Sequence, residues 1–251
     1  MKLPKFFFIL LLGLTAAACT STAPSVQSSQ VELIPVDDTI ANDSLAEATI
    51  APFKAIMNQQ MQTVIGQAQK RLEKTNVESH LGNFVVDAIL SQARMVHSDH
   101  IDMAVIGNGG LRAPIPQGVV KVSTVYELMP FENTLYILEL NGSQTMALFS
   151  YLADNQRTSV ANSVVLLKDD QVHKLFINGA PFDPEGRYTL AVSDYLAEGG
   201  GRMEFLKEAK VLERYPVKIR DMIIDHVKGL NNQGQMVDAH IEGRVKVISG
   251  S

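Results

Sequence analysis

The sequence predicts an α/β domain in which a mixed sheet is covered by helices. Short apolar runs that end at glycine or asparagine turns alternate with longer segments of helical periodicity. Because this alternation is uneven, we expect a mixed sheet. The chain has 251 residues, 46% of them hydrophobic, so it is large enough to bury a core, and a single compact domain is the first expectation.

The elements follow in order along the chain. Apolar residues recur at helical spacing over 44–74, interrupted by Pro52 and Gly66, which indicates a helix followed by a strand or a second helix. Another helix is predicted to begin near Ser79, a residue type that caps helices. The later predicted elements are strands over 103–106, 134–140, 164–167, 173–177, 188–192 and 244–247 and helices over 143–153 and 218–227.

The N-terminal residues have the features of a secretion signal. Lys2 and Lys5 precede an apolar run over 6–14, which is shorter than the roughly 20 residues needed to span a bilayer. Small residues then lead to Cys19, the only cysteine. We predict a signal peptide over 1–18, a flexible tether over 19–30 and one domain over 31–251.

Cys19 also suggests how the protein is attached to the cell. The segment 16–19 (AAAC) resembles the bacterial lipobox, whose cysteine is acylated; the alternative is an ordinary signal with a chance cysteine. The resemblance implies a lipoprotein anchored in the cell envelope. Because Thr20 stands where an aspartate would favour inner-membrane retention, the expected location is the outer membrane, facing the periplasm.

Charge and motifs exclude several classes of function. The formal net charge is −5 and the basic residues are scattered, so a nucleic-acid partner is not expected. The chain contains no Gly-Asn-His-Glu stretch and no Gly-x-Ser-x-Gly elbow. We therefore predict no catalytic residue, no metal and no cofactor in this chain. The histidines are dispersed: His80, His97, His100, His173, His226 and His240.

Two glycine-rich loops and two aromatic residues are candidates for ligand binding. The loop over 107–112 brings backbone amides and Arg112 together, as in an anion site, although a tight turn with a solvated arginine is at least as good an explanation. The loop over 199–201 lacks dinucleotide-loop spacing and is interpreted first as a mobile connector. Phe131 and Tyr195 lie at turns, where an aromatic residue either plugs the core or stacks on a base.

Four segments carry a specific resemblance, because they occur in the right order: 78–83 (ESHLGN), 108–112 (NGGLR), 128–133 (LMPFEN) and 193–200 (SDYLAEGG). The chain resembles the C-terminal domain of 5′-nucleotidases from about residue 31 to about residue 247. In that family the C-terminal domain binds the nucleoside, and an N-terminal metallophosphatase domain holds two metal ions. The resemblance implies that divalent metals belong to a partner phosphatase.

The resemblance also implies roles for individual residues. Phe131 and Tyr195 match the aromatics that sandwich the base, Arg112 matches an arginine that reaches the phosphate, and Asn133 matches a polar residue near the base. Asn108 and Gly110, in the glycine loop, complete the predicted substrate-binding set.

The sequence departs from the family pattern at four positions. Val77 replaces an arginine, His80 an asparagine, Gly107 the first asparagine of the glycine loop, and Gly201 an acidic residue that holds the ribose hydroxyls and is followed here by Arg202. We therefore expect altered phosphate binding and altered ribose selectivity.

Three hypotheses follow. The first is the recognition half of a split 5′-nucleotidase, which binds a nucleotide or nucleoside and acts in nucleotide catabolism with a separate metallophosphatase chain at the same membrane. The second is a non-catalytic envelope lipoprotein that binds a nucleoside, a nucleotide or a related sugar phosphate. The third is a structural domain whose pocket has decayed.

Overall fold

The computed structural model describes residues 33–35, 37, 39–155 and 158–248. The predicted signal peptide, Cys19 and the tether lie outside the described residues. The chain divides into two compact units, Met1–Thr49 and Ile50–Ser251. No helix in the described segments is long and apolar enough to cross a membrane.

The first unit contributes a turn at Asp37 and the beginning of the first helix, α1 (Ser44–Met61). The carboxylate of Asp43 accepts hydrogen bonds from the N–H groups of Leu45 and Ala46 at 2.8 and 3.0 Å, which caps the helix. The helix continues through Pro52. Of the two readings of residues 44–74, the structure therefore confirms a helix followed by a strand.

The second unit contains the remaining elements. Its longer helices are α2 (His80–Val96), α4 (Gly142–Asn155) and α6 (Ile219–Asn232), and its short ones are α3 (Val122–Leu128) and α5 (Asp194–Ala197). The strands, in chain order, are β1 (Val64–Ala68), β2 (Met103–Gly107), β3 (Gly118–Lys121), β4 (Thr134–Asn141), β5 (Thr158–Ala161), β6 (Ser163–Lys168), β7 (Gln171–Ile177), β8 (Ala180–Pro181), β9 (Arg187–Ser193), β10 (Lys210–Lys218) and β11 (Val245–Val247).

The central sheet is mixed, as predicted. Its five strands have the order β10-β4-β9-β2-β5, in which only β2 and β9 run parallel. A four-stranded sheet (β11-β6-β7-β8) and the antiparallel pair β1-β3 complete the unit. The strands predicted over 164–167 and 173–177 correspond to β6 and β7, which pair antiparallel as a hairpin.

The central sheet separates two apolar cores. Successive side chains of a strand point to opposite faces, and both faces are covered here. On β4, Leu135 and Ile137 lie in the core formed with α2 and α6, whereas Leu138 and Leu140 lie in the core formed with α4 and the four-stranded sheet. This double burial explains the continuous apolar run of β2 and the apolar stretches within β4 and β9.

Three segments in which the chain reverses direction, here called the three reversals, lie at one edge of the central sheet. The parallel strands β2 and β9 end at the same edge, and β4 begins there, because Leu135 pairs with Ser193. The segments just after β2, just before β4 and just after β9 therefore meet. The carboxyl ends of parallel strands are a common place for a ligand to bind.

Candidate functional site

A cavity of about 840 Å³ opens at this edge of the sheet. Its walls come from the three reversals, with additional side chains from α2, α4 and α6. Five of the six predicted substrate-binding residues line it. They are Gly110, Arg112, Phe131, Asn133 and Tyr195.

Phe131 and Tyr195 form aromatic walls of the cavity. Phe131 is 37% exposed and Tyr195 is 55% exposed, although their neighbours Met129 and Leu196 are buried. An aromatic residue that plugs a core is buried, so the exposure of both rings excludes that alternative. Both rings are available to a planar ligand that enters the cavity.

Tyr195 is held by the glycine loop that follows it. The N–H of Gly201 donates a hydrogen bond to the Tyr195 hydroxyl at 3.0 Å, and the Tyr151 hydroxyl donates to the Gly201 carbonyl at 2.7 Å. A Cβ atom on Gly200 would lie 2.5 Å from the Tyr195 ring, so this position requires glycine. The loop is therefore not the connector that the sequence suggested: it forms a short 3-10 helix (Gly200–Arg202) fixed to the aromatic wall.

Asp194 links the segment before β4 to the segment after β9. Its carboxylate accepts hydrogen bonds from the Asn133 amide at 2.8 Å, from the N–H and hydroxyl of Thr134 at 3.0 and 2.8 Å, and from the Tyr195 N–H at 2.6 Å. Burial is the largest single influence and acts to raise the pKa of Asp194, but the hydrogen bonds together lower it. The carboxylate therefore fixes the start of β4 against the end of β9.

Asn133 consequently has a structural partner as well as a place in the cavity wall. Its amide nitrogen donates to Asp194, and its backbone carbonyl accepts a hydrogen bond from the Ile219 N–H at 2.9 Å. The amide oxygen has no hydrogen bond from the described residues.

Arg112 lies beside Phe131. The centre of its guanidinium group is 6.0 Å from the centroid of the Phe131 ring. The backbone N–H of Arg112 donates a hydrogen bond to the Leu128 carbonyl at 2.8 Å. Its side chain is exposed, and within the described chain no carboxylate forms an ion pair with it. The guanidinium group donates one long hydrogen bond, to the Gly109 carbonyl at 3.4 Å, and its remaining N–H groups are suited to a phosphate ligand.

Asn108 is placed differently from the other predicted residues. Its side chain is buried, donates to the Thr75 carbonyl at 3.2 Å and accepts from the Ser159 hydroxyl at 3.2 Å. The neighbouring glycines line the cavity, but Asn108 does not. Its side chain thus anchors the loop after β2 from behind, and a direct contact with a ligand through that side chain has no support in the structure.

The structure adds cavity residues that the sequence had not indicated. Tyr151 comes from α4, and no local pattern in its own segment could have placed it at a site built from three distant reversals. Glu132 stands between two predicted residues, which is a signal that could have been used. It forms ion pairs with Lys218 and, at 2.5 Å, with Arg220.

These ion pairs neutralise the charge of Glu132. Hydrogen bonds from Lys218 and Arg220 lower the pKa of the Glu132 carboxyl. Arg220 is itself buried and lies 3.9 Å from the Tyr126 ring centroid. Glu132 is therefore an ionised but already paired member of the wall.

The residues that depart from the family pattern do not supply side chains that could replace the family's ligand-binding groups. Val77 packs against the apolar core, and the His80 Nδ1 atom lies 2.8 Å from the Ala239 carbonyl. Gly107 and Gly201 line the cavity without a side chain. Over the residues that the structure describes, no three His, Cys, Asp or Glu side chains are grouped so that they could hold a metal ion.

The fold and the site define a class: an α/β domain with an aromatic-walled cavity at the edge of its central sheet. A family model described as the C-terminal domain of 5′-nucleotidase matches residues 62–208, more than half of the chain. The chain belongs to this family. The resemblance found in its four sequence motifs is thereby confirmed.

Two similar proteins are much longer than this chain. The Bacillus subtilis trifunctional nucleotide phosphoesterase protein YfkN is 24% identical over 246 residues, which cover 88% of this chain and 16% of that protein. Protein UshA of Escherichia coli is 25% identical over 171 residues, which cover 64% and 30%. This chain therefore spans less than a third of either relative.

A solved structure gives the same fold. The 5′-nucleotidase precursor from Thermus thermophilus superposes with a TM-score of 0.70 at 26% identity. The match covers 82% of this chain and 44% of that chain. The predicted fold class, a mixed sheet covered by helices, is confirmed.

Proposed function

We propose that this domain binds a nucleotide by stacking its base between Phe131 and Tyr195 and placing its phosphate at Arg112. The observation that carries the proposal is the pair of exposed aromatic rings in one cavity. Beside one of them lies Arg112, which forms no ion pair with a carboxylate of the described residues. A stacked base contributes about 1–3 kcal/mol per aromatic contact, and a guanidinium group can bind phosphate through two hydrogen bonds.

Calorimetric titration with adenosine and 5′-AMP tests this proposal. Phe131→Ala and Tyr195→Ala should each weaken the binding of both ligands about 5- to 100-fold, the equivalent of one lost stack. The matched control is Phe53→Ala, because Phe53 is also an exposed phenylalanine but lies on α1 and not in the cavity. Unchanged affinity in the two cavity variants would refute the stacking site.

We further propose that the domain supplies substrate recognition to a separate metallophosphatase chain in nucleotide catabolism. The family membership and the lack of a metal-binding group among the described residues support this role. Several relatives carry nucleotidase or phosphoesterase names and are much longer than this chain.

An exposed apolar face on α1 supports a protein partner. Ile50, Phe53, Ile56 and Met57 are each more than half exposed. Their spacing of three, four and seven residues places them on one side of the helix. A contiguous apolar patch of this kind is typical of a surface that a partner covers.

Reconstitution tests the partnership. A secreted metallophosphatase encoded by the same genome should hydrolyse 5′-AMP faster when this protein is added. Phe53→Asp should abolish the stimulation while leaving AMP binding by this domain intact, and Lys54→Asp, a neighbouring exposed change on the same helix, should not. Stimulation that survives Phe53→Asp would contradict the docking surface.

A second candidate is a binding lipoprotein that works without a phosphatase. The absence of a side chain at Gly201 and the apolar Val77 favour it, because groups that position a substrate for hydrolysis are missing there. Under this alternative AMP binds, but no metallophosphatase from the same genome responds to the protein.

We propose that the protein is held at the cell envelope through an acylated Cys19, with its domain in the periplasm. The lipobox-like sequence before Cys19 supports this location. Metabolic labelling with a fatty acid should mark the wild-type protein, and Cys19→Ser should remove the label and release the protein from the membrane fraction. An unlabelled wild-type protein would rule out the anchor.

A further inference from the structure

The cavity contains a second arginine that the proposed binding mode does not use. Arg202 lines the cavity and is exposed. Its φ angle is +69°, a left-handed conformation that is uncommon for residues other than glycine. Such a conformation persists only when the surrounding structure holds it, and the preceding Gly201 is held by Tyr195 and Tyr151.

Neither cavity arginine is neutralised by the protein. Within the described parts of the chain, no carboxylate forms an ion pair with Arg112 or Arg202. The acidic residue of the cavity wall, Glu132, is already paired with Lys218 and Arg220. The cavity therefore presents two positive charges that only a ligand can compensate.

The two arginines lie in different segments of the cavity wall, Arg112 in the segment beside Phe131 and Arg202 in the segment after Tyr195. Arg112 lies 6.0 Å from the Phe131 ring centroid. Arg202 directly follows Gly201, whose N–H donates to the hydroxyl of Tyr195. A planar group between the rings would thus have Arg112 on the side of Phe131 and Arg202 on the side of Tyr195.

We propose that the preferred ligand of this site is a nucleoside carrying two separated phosphates, one on the 5′ position and one on a 2′ or 3′ ribose hydroxyl. This inference rests on the proposed nucleotide-binding function and specifies its substrate class. A nucleoside 5′-monophosphate leaves one arginine without an anion. A bisphosphate neutralises both, and each phosphate can form charge-assisted hydrogen bonds with its own guanidinium group.

Calorimetric titration with three adenosine ligands tests the inference. Adenosine 3′,5′-bisphosphate should bind at least about tenfold more tightly than 5′-AMP. ADP carries the same number of phosphates on a single position, so it should bind no more than about threefold more tightly than 5′-AMP. Bisphosphate and AMP of equal affinity, or ADP as tight as the bisphosphate, would overturn the proposal.

Substitutions test which arginine is responsible for the tighter binding of the bisphosphate. Arg202→Gln should weaken the bisphosphate at least about tenfold and 5′-AMP by no more than about threefold, whereas Arg112→Gln should weaken both ligands about equally. Arg187→Gln is the control, because Arg187 is an exposed arginine outside the cavity. Thermal unfolding of Arg202→Gln should match the wild type, and Arg202→Lys should retain part of the advantage.

The failure of this inference can be distinguished from the failure of the proposed function. If adenosine and 5′-AMP bind and depend on Phe131, but Arg202→Gln does not affect the bisphosphate, only the substrate class is wrong. If none of the three ligands binds, the nucleotide site itself is wrong and the inference falls with it.

Discussion

Asp194 has a structural part in the site that complements the ligand-facing side chains. Its carboxylate accepts four hydrogen bonds from three residues, on both sides of the cavity edge. Because several donors converge on one ionised group, its removal leaves the donors of Asn133 and Thr134 without an acceptor. Asp194, which is not among the residues that line the cavity, therefore positions Asn133 and Tyr195.

Asp194→Asn should lower the free energy of unfolding by about 1–3 kcal/mol at pH 7, since charge-assisted hydrogen bonds become neutral ones. The folded-state pKa of Asp194 lies below its ordinary value of 3.8. Its contribution to stability is therefore fully present above pH 3.8 and is lost as the pH falls through the folded-state pKa. Urea unfolding at pH 7 and near pH 3 should show a gap between wild type and variant that shrinks in acid.

The control for this prediction is Asp225→Asn. Asp225 is exposed and forms only a surface ion pair with Lys228 at 3.5 Å, so its substitution should change stability by less than about 0.5 kcal/mol. An Asp194 gap that is independent of pH would contradict the role assigned to the carboxylate.

At the residue scale, the sequence pointed to several side chains that the fold brings to one cavity. Phe131, Arg112 and Tyr195 each follow or precede a predicted strand, and the parallel arrangement of β2 and β9 brings these ends together. Asn108 differs from them, because its side chain turns inward to Ser159 and does not line the cavity. The direction of a side chain in a loop depends on tertiary contacts that local sequence does not encode.

The loop over Gly199–Gly201 is the element that shapes one aromatic wall. Gly199 and Gly201 have φ angles of +87° and +64°, which favour glycine. Gly200 needs glycine for a different reason, its close approach to Tyr195. The sequence pattern showed three glycines but could not distinguish these two causes, and it suggested a connector.

Gly200→Ala should weaken adenosine binding to within about threefold of the Tyr195→Ala effect, because the added methyl group displaces the ring. Gly229→Ala in α6 is the control: its Cβ would meet no atom within 4 Å. That change should raise stability by about 0.5–1 kcal/mol without altering affinity. Calorimetric titration and urea unfolding of both variants check these expectations, and normal binding by Gly200→Ala would contradict the packing account.

Strand β10 shows where element prediction was incomplete. It lies at the edge of the central sheet, pairs only with β4 and is partly exposed along its length. Its sequence includes Pro216 and charged residues, as edge strands often do. An apolar alternation is therefore weak there, and the sequence did not predict the strand, whereas the doubly buried β2 and β9 were predicted from their apolar runs.

At the scale of the whole molecule, the fold class was predictable because alternating elements and their turn residues are local signals. The two cores were not, since the assignment of alternate β4 side chains to different cores depends on which helices cover each face. The cavity follows from the sheet order, which brings together segments that are distant in sequence. The family membership, carried by four short motifs, was the most informative sequence signal.

We propose that this protein recognises a nucleotide and has no hydrolytic activity of its own. The most direct test is calorimetric titration of the wild-type protein with 5′-AMP in the presence of Mn²⁺, with inorganic phosphate measured in the same samples. We predict saturable binding and no phosphate release above that of Phe131→Ala. Phosphate release by the wild type that Phe131→Ala lacks, or an absence of binding, would contradict the account.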